Sequence, residues 1–252
     1  MEEIRKPFQG VKNIVLFNWH FYLIGFVIGV LLVIAMQVTD GLIKNIFFSV
    51  GILIFTSMLI SLAVSYFIYD YSKLYKFDWI IPHNEDEIIV NIHAGFDETT
   101  VTIKNRFKNS YVKCLDFYDP EKHTEPSIER ARKAYPPVID TIQINTTMLP
   151  LGLGSVDKIY LILAAHEIRN TMERENFFTE LNKVLKQNGK IYVTEHLRDL
   201  PNFLAFNFGS FHFYSKKSWL SIFRKANLEL MQEFKCTFFI STFILHKNGD
   251  LL

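Results

Sequence analysis

The stretch Ile159–His196, IYLILAAHEIRNTMERENFFTELNKVLKQNGKIYVTEH, decides the fold. Ile159–Leu163 is a short apolar run of the kind buried in the middle of a sheet. From Glu173 to Leu185 the pattern changes, and Phe177, Phe178, Leu181, Val184 and Leu185 recur at three- and four-residue spacing along one helix face. Gln187-Asn188-Gly189 reads as the stop after that helix, and Gly189–Thr194 (GKIYVT) is strand-like again. Strand, covering helix and strand in that order make a parallel pair joined by a crossover.

The same alternation extends outward. Glu87–Ile92 (EIIVNI), Val112–Leu115 (VKCL) and Thr141–Ile144 are further strand-like runs, and a polar stretch compatible with helix precedes the second. Downstream, Ser218–Ala226 reads as a helix, and Leu228–Phe234 and Thr237–Leu245 read as two strands around a short polar connection. Apolar strands alternating with helices predict an α/β domain, a parallel sheet covered on both faces and closed by an antiparallel pair. This domain occupies residues 87–252.

Residues 1–70 are of another kind. Asn13–Thr39 and Asn45–Tyr69 contain no Asp, Glu, Lys or Arg, and each exceeds the roughly 20 residues a helix needs to cross about 30 Å of hydrocarbon. Asp40–Lys44 is too short for anything but a tight turn. The reading is a two-helix transmembrane hairpin with spans at about 15–38 and 45–69. A signal peptide would have a shorter apolar region and no second span. Trp19 and His20, near one span end, suit the headgroup level. Arg5, Lys6 and Lys12 precede the hairpin, Lys73 and Lys76 follow it, and Lys44 alone lies in its turn. That bias places both termini in the cytoplasm, in a multi-pass protein of the inner or cytoplasmic membrane. In the connector, residues 71–86, Tyr71, Tyr75, Phe77 and Trp79 either line the membrane surface or pack on the domain.

Composition excludes some functions. With 27 Lys+Arg against 26 Asp+Glu, and no basic block, the chain has no electrostatic footprint for nucleic acid. A hydrophobic content of 49% excludes a largely disordered chain. Cys114 and Cys236 cannot build a disulfide framework and read as two buried free thiols in a reducing compartment.

Several phrases resemble the class I S-adenosylmethionine (SAM)-dependent methyltransferases. Leu185–His196 (LKQNGKIYVTEH) is similar to that family's LKPGG element and the strand ending in Glu-His behind it. Asn145–Pro150 (NTTMLP) with Ser155–Ile159 (SVDKI) resembles its approach to the fourth strand, and Ser218, Trp219, Phe223 and Ala226-Asn227-Leu228 resemble its penultimate helix and exit. The similarity runs from about Asp86 to the C-terminus. It implies a Rossmann-like, doubly wound, seven-stranded sheet in strand order 3-2-1-4-5 with the antiparallel pair beyond, and SAM as cofactor. It assigns Asp116, about 25 residues after Asn91, to the ribose hydroxyls and Phe117 to the adenine side. Asp119-Pro120 is the better helix-cap candidate there, and Thr146 and Ala164 complete the cofactor pocket. The first motif, D-x-G-x-G-x-G in the family, is Asn91-Ile92-His93-Ala94-Gly95-Phe96-Asp97 here. Gly95 keeps one glycine place, His93 and Asp97 take the other two, and Asn91 stands for the acid. His93 adds bulk where the methionine part would lie, while Asp97 tolerates a left-handed backbone.

Ligands in such sheets bind outside the carboxyl ends of the strands. That rim receives His93 after strand one, Ala165-His166-Glu167 after strand four and Glu195-His196 after strand five. His212 falls in the aromatic stretch Phe203–Tyr214 (FLAFNFGSFHFY), placed to cover the rim. Two chemistries compete. In one, His166 or His196 is a general base, with Glu167 or Glu195 fixing its tautomer. In the other, the histidines bind a divalent metal; the spacing has no HExxH-like pattern, and no metal ligand is assigned. His166, Glu167, His196 and His212 are the catalytic candidates. His123-Thr124-Glu125 with Arg130 and Arg132 reads as a solvated helix start with local pairing. The expected partners are the lipid bilayer and a hydrophobic, lipid-like methyl acceptor at the cytoplasmic membrane surface. The alternatives are a methyltransferase-like fold with other histidine- or metal-assisted chemistry, and a catalytically silent membrane-anchored binding protein.

Overall fold

Two long helices open the chain, α1 (Gln9–Gln37) and α2 (Gly41–Tyr66). There follow β1 (Ile88–His93), α3 (Thr100–Arg106), β2 (Tyr111–Asp116), α4 (Pro126–Ala134), β3 (Ile142–Gln143), β4 (Val156–Ile162) and α5 (Thr171–Val184). The chain ends with β5 (Leu185–His196), α6 (Leu200–Phe206), α7 (Lys216–Lys225), β6 (Leu228–Thr237) and β7 (Ile240–Lys247). This is a computed structural model that describes residues 5–72, 74–80, 86–123 and 125–249; Lys73 and Thr124, and 81–85 of the connector, lie outside the described residues.

The seven strands lie in the order β3-β2-β1-β4-β5-β7-β6. β1 to β5 are parallel, and β7 enters antiparallel between β5 and β6. The expected doubly wound sheet is therefore present, with its switch point between β1 and β4. Strand periodicity divides the core. Ile159 and Leu161 face a layer with Phe177, Phe178 and Leu181 of α5 and Trp219 and Phe223 of α7. Tyr160 and Ile162 face the other way, onto Phe77, Ile80, Ile103 and Phe107. Phe77 is fully buried and Tyr75 and Trp79 pack against this second layer, so these three connector aromatics belong to the domain; Tyr71 stays exposed.

One local reading is corrected. Helix α5 ends at Val184 and β5 begins at the next residue, so Gln187-Asn188-Gly189 lies within a strand and stops nothing. It forms an irregularity there: Val156 pairs with Leu185, but Lys158 pairs with Lys190. The strand doubles back on itself tightly, and a Cβ on Gly189 would lie 2.7 Å from the Leu185 side chain.

Helices α1 and α2 are long and apolar enough to cross a membrane, and their side chains are bare, Phe26 at 67% and Leu53 at 69% exposure. Among the described residues they meet the domain through the N-terminal part of α1 and the C-terminal part of α2. The chain leaves α2 through a π-helical turn, Phe67–Tyr71, which returns Asp70 to the start of α1. There the Asp70 carboxylate accepts the backbone N–H groups of Gly10 and Val11, each at 2.8 Å, satisfying two of the donors that a helix start leaves unpaired. Gly10 permits this approach, because a Cβ there would lie 2.3 Å from the Tyr69 Cβ. Beside it, Arg5 pairs with Glu98 at 2.8 Å, and the Tyr75 hydroxyl donates to Glu98 at 3.0 Å. α1 kinks at Asn18. The Phe17 carbonyl, next to that kink, accepts from Arg130 of α4 at 2.5 Å, and Arg130 also meets His20 Nδ1 at 2.7 Å. His20 thus has a protein partner at the place expected to suit a lipid headgroup.

Gly10→Ala is expected to destabilise the docked hairpin by about 1–3 kcal/mol through overpacking, read as a lower midpoint of thermal unfolding in detergent. An unchanged midpoint would contradict the close approach.

Candidate active site

The carboxyl ends of β1, β4 and β5 open onto one cavity of about 840 Å³. Its domain side includes Ala94, Phe96, His166, Glu167, His196 and His212, and its hairpin side includes Phe17, Phe21, Tyr22, Met58 and Tyr69. All four catalytic candidates line it. The aromatic stretch expected to cover the rim does so as α6 followed by a 3₁₀ turn, Asn207–His212, and Asn207 reaches Ser57 of α2 at 3.1 Å.

The two candidate bases sit in opposite electrostatic surroundings. His166 Nδ1 lies 2.6 Å from Glu195 Oε2, and its Nε2 lies 3.1 Å from Glu167 Oε1. Burial alone would lower its pKa; the two carboxylates, Glu195 first, outweigh burial and push it up to about 10. His166 is therefore unsuited to accept a proton. His196 is buried with no carboxylate on its ring. Burial pushes its pKa down to about 4, against the opposing hydrogen bond that its Nδ1 donates to Asn202. Asn202 also fixes the tautomer. Its Nδ2 donates to Asp199 Oδ1 at 2.8 Å and to the Phe239 carbonyl at 3.0 Å, so its Oδ1, 2.9 Å from His196 Nδ1, accepts. His196 Nε2 is left with a lone pair, and the Tyr69 hydroxyl donates to it at 2.8 Å.

Most of the expected cofactor residues are engaged within the domain. Asn91 Nδ2 donates to the hydroxyls of Thr99 and Thr100 at 2.8 and 2.7 Å, tying β1 to the start of α3. Asp97 is not left-handed: Gly95, at φ +87°, is the residue of that loop in the left-handed region. Asp97 Oδ1 accepts the N–H groups of Thr99 and Thr100 at 2.9 Å each, a capping role. Cys114 lies against its other oxygen at 3.4 Å, and burial pushes that thiol up to about 11, which makes it inert. Cys236 is likewise unpaired, but half-buried. Thr146 donates to Glu173 at 2.5 Å, Ala164 is buried, and Phe117 packs in the core against Phe177 and His123. Asp119 accepts from Glu121 N–H in a turn and does not cap α4, which starts at Pro126.

Asp116 and His93 remain. Asp116 is fully buried; Oδ1 accepts the Tyr118 N–H at 2.9 Å and Oδ2 pairs with Arg132 of α4. Its carboxylate, expected to be free for ribose, is thus shared with a cation whose own side chain is 26% exposed. His93 Nδ1 accepts the Gly95 N–H at 3.2 Å, which places the ring proton on Nε2, and that buried N–H has no partner among the described residues. Burial lowers the His93 pKa, against Asp97 and Asp116. A spare buried donor beside a buried acceptor on adjacent strand ends fits a ligand with vicinal hydroxyls.

Residues 102–193 match the family model described as a methyltransferase domain. Over that segment the chain is similar to the methyltransferase-domain family. The strand order is the one expected from the resemblance to SAM-dependent methyltransferases, and the His93–Asp116 pair offers groups that would meet that cofactor. A SAM-dependent methyltransferase from Methanosarcina mazei aligns at 15% identity and TM-score 0.47, covering 66% of this chain and 94% of the other. Another, from Aquifex aeolicus, aligns at 13% identity and TM-score 0.45, covering 63% and 81%. No curated protein matches the sequence.

Four residues of this site escaped the sequence reading. Tyr69 lay inside an apolar span, Glu125 read as a solvated helix start, and Arg169 and Asn202 had no motif around them. Glu125 in fact lines the cavity and faces His212 at 3.1 Å.

In ¹⁵N-histidine-labelled protein, His196 is expected to be a neutral Nδ1–H tautomer at pH 6 that titrates near pH 4. Because its pKa is lowered in the fold from 6.5, its stabilising contribution is complete above about pH 6.5 and is lost as pH falls toward 4. Titration at 6.5 would contradict the assignment. Asp116→Asn is expected to weaken SAM binding, measured by calorimetry, at least about tenfold; unchanged affinity would remove Asp116 from the cofactor site.

Proposed function

We propose that this protein is a membrane-anchored methyltransferase that moves a methyl group from SAM to a hydroxyl of an apolar, lipid-like acceptor. The carrying observation is the cavity: one wall is the apolar hairpin and the other the histidine-bearing strand ends. Leu204, Phe208 and Phe211 are exposed on the segment that touches α2. An apolar surface beside two bare apolar helices supports a domain seated on the bilayer. An acceptor then reaches the site from the membrane with its apolar part along Phe17, Phe21 and Met58. The basic flanks of the hairpin support the cytoplasmic side.

SAM, when bound, supplies an electrophilic methyl group. The chain's own residues do the rest. Asp116 and His93 would hold the cofactor's polar groups, and the apolar wall orients the acceptor and excludes water. The Tyr69–His196 pair receives the acceptor's proton. As the acceptor hydroxyl gives its proton to the Tyr69 oxygen, the Tyr69 proton passes to His196 Nε2, and Asn202 Oδ1 holds the resulting imidazolium.

Full-length protein in lipid nanodiscs, given SAM labelled in its methyl group and a total membrane lipid extract, is expected to move label into the organic-soluble fraction. Tyr69→Phe is expected to lower the rate by about 10²–10⁴-fold with SAM affinity retained. Label confined to the aqueous fraction, or a Tyr69→Phe variant as fast as the native protein, would defeat the proposal.

A further inference from the structure

A second arrangement on the cavity wall has a different logic. His166 and His212 are held alike. Each turns Nδ1 to a carboxylate of its own: Glu195 at 2.6 Å for His166, and Glu125 at 3.1 Å for His212. Each turns Nε2 to the same oxygen, Glu167 Oε1, at 3.1 and 3.6 Å. The ligand atoms of His166, Glu167 and His212 all lie within 4.8 Å of one another.

We infer that His166 Nε2, His212 Nε2 and the Glu167 carboxylate form a binding site for a divalent transition-metal ion. A neutral imidazole carries one N–H. A ring with a carboxylate at both nitrogens therefore needs a second proton or a cation between one of those pairs. Two such rings share a single carboxylate here, and a metal ion displacing the second ring protons would use both lone pairs at once. The outer carboxylates complete the pattern in which a metal-binding histidine donates its other N–H to an acid that fixes its tautomer. Glu195 is itself anchored by the His166 backbone N–H at 3.2 Å.

Charge points the same way. Among the described residues, Glu125, Glu167 and Glu195 face one permanent cation, Arg169, which lies 3.1 Å from Glu125 and 3.8 Å from Glu167. A divalent ion with two neutral imidazoles balances the remainder. Arg169 Nη2 also lies against both ring nitrogens of His212, but a neutral ring accepts at one nitrogen only. Arg169 has further partners in Glu125 and in the His212 carbonyl, which accepts from Nη1 at 2.7 Å. Two imidazoles and one carboxylate suit Zn²⁺, Fe²⁺ or Mn²⁺, and three protein ligands leave coordination positions open. Since the ligands line the cavity, those positions face the acceptor. Resting on the functional reading above, the ion's role is to hold the acceptor oxygen and ease transfer of its proton to the Tyr69–His196 pair.

The other histidine–carboxylate–thiol group, His93, Asp97 and Cys114, lacks this logic. His93 Nδ1 accepts from Gly95, and Asp97 Oδ1 accepts two backbone N–H groups.

The test uses full-length protein in detergent, stripped with a chelator. It is titrated with Zn²⁺ by calorimetry and with Co²⁺ by visible absorption. One ion per chain is expected, with a Zn²⁺ Kd below about a micromolar and Co²⁺ ligand-field bands. His212→Ala should weaken Zn²⁺ binding at least about 100-fold and Glu195→Gln by about 10–100-fold. SAM binding should be unchanged in both, which also reports that they fold. No saturable binding, or native affinity in both variants, overturns the site. Zn²⁺ binding with this ligand dependence but without methyl transfer would sustain the site and overturn only the functional reading.

Discussion

The Asp70 carboxylate on the first N–H groups of α1 is the contact on which the rest depends. Two apolar helices have no reason of their own to stop at a particular height or angle on a soluble domain. A half-buried, charge-assisted hydrogen-bond pair at a helix N-terminus supplies one. It works because the π-helical turn after α2 swings Asp70 back to α1 and because Gly10 has no side chain to oppose Tyr69. The same turn places the Tyr69 hydroxyl on His196. One local geometry thus seats the hairpin, shapes the cavity wall and delivers a hairpin side chain to the strand ends.

The two central histidines show how surroundings divide labour between identical groups. Consecutive residues Glu195 and His196 end β5 on opposite faces. Glu195 reaches sideways to His166 and makes that ring a partner for positive charge. His196 sits among Phe206, Phe213 and Asn202, where burial outweighs the single hydrogen bond to Asn202 and keeps the ring neutral. A base and a cation-binding centre can then share one cavity without quenching each other.

Much of this was legible in the sequence, for identifiable reasons. The β4–α5–β5 unit announces itself through a change of period, from Ile159 and Leu161 set against Tyr160 and Ile162, to Phe177, Phe178, Leu181 and Val184. Once the strand order follows, the rim histidines follow too, since each stands at a strand end. Protonation and partnership were not legible. Tyr69 is 127 residues from His196, and Glu125 meets His212 only because α4 starts beside the cover. Asp116 kept its expected position, but Arg132 reaches it from a helix whose rotation no local pattern records. The residues in the first-motif places have partners of their own: Asn91 and Asp97 secure α3, while His93 carries a buried donor at the rim.

The central claim is that hairpin and domain together enclose the reacting groups. It is tested most directly by an experimental structure of the full chain in a lipid nanodisc with S-adenosylhomocysteine. The expected result places that product at His93 and Asp116, with elongated lipid-like density running from Phe21 and Met58 toward His196. Helices swung away from the sheet edge, with Tyr69 parted from His196 and the cavity gone, would contradict it.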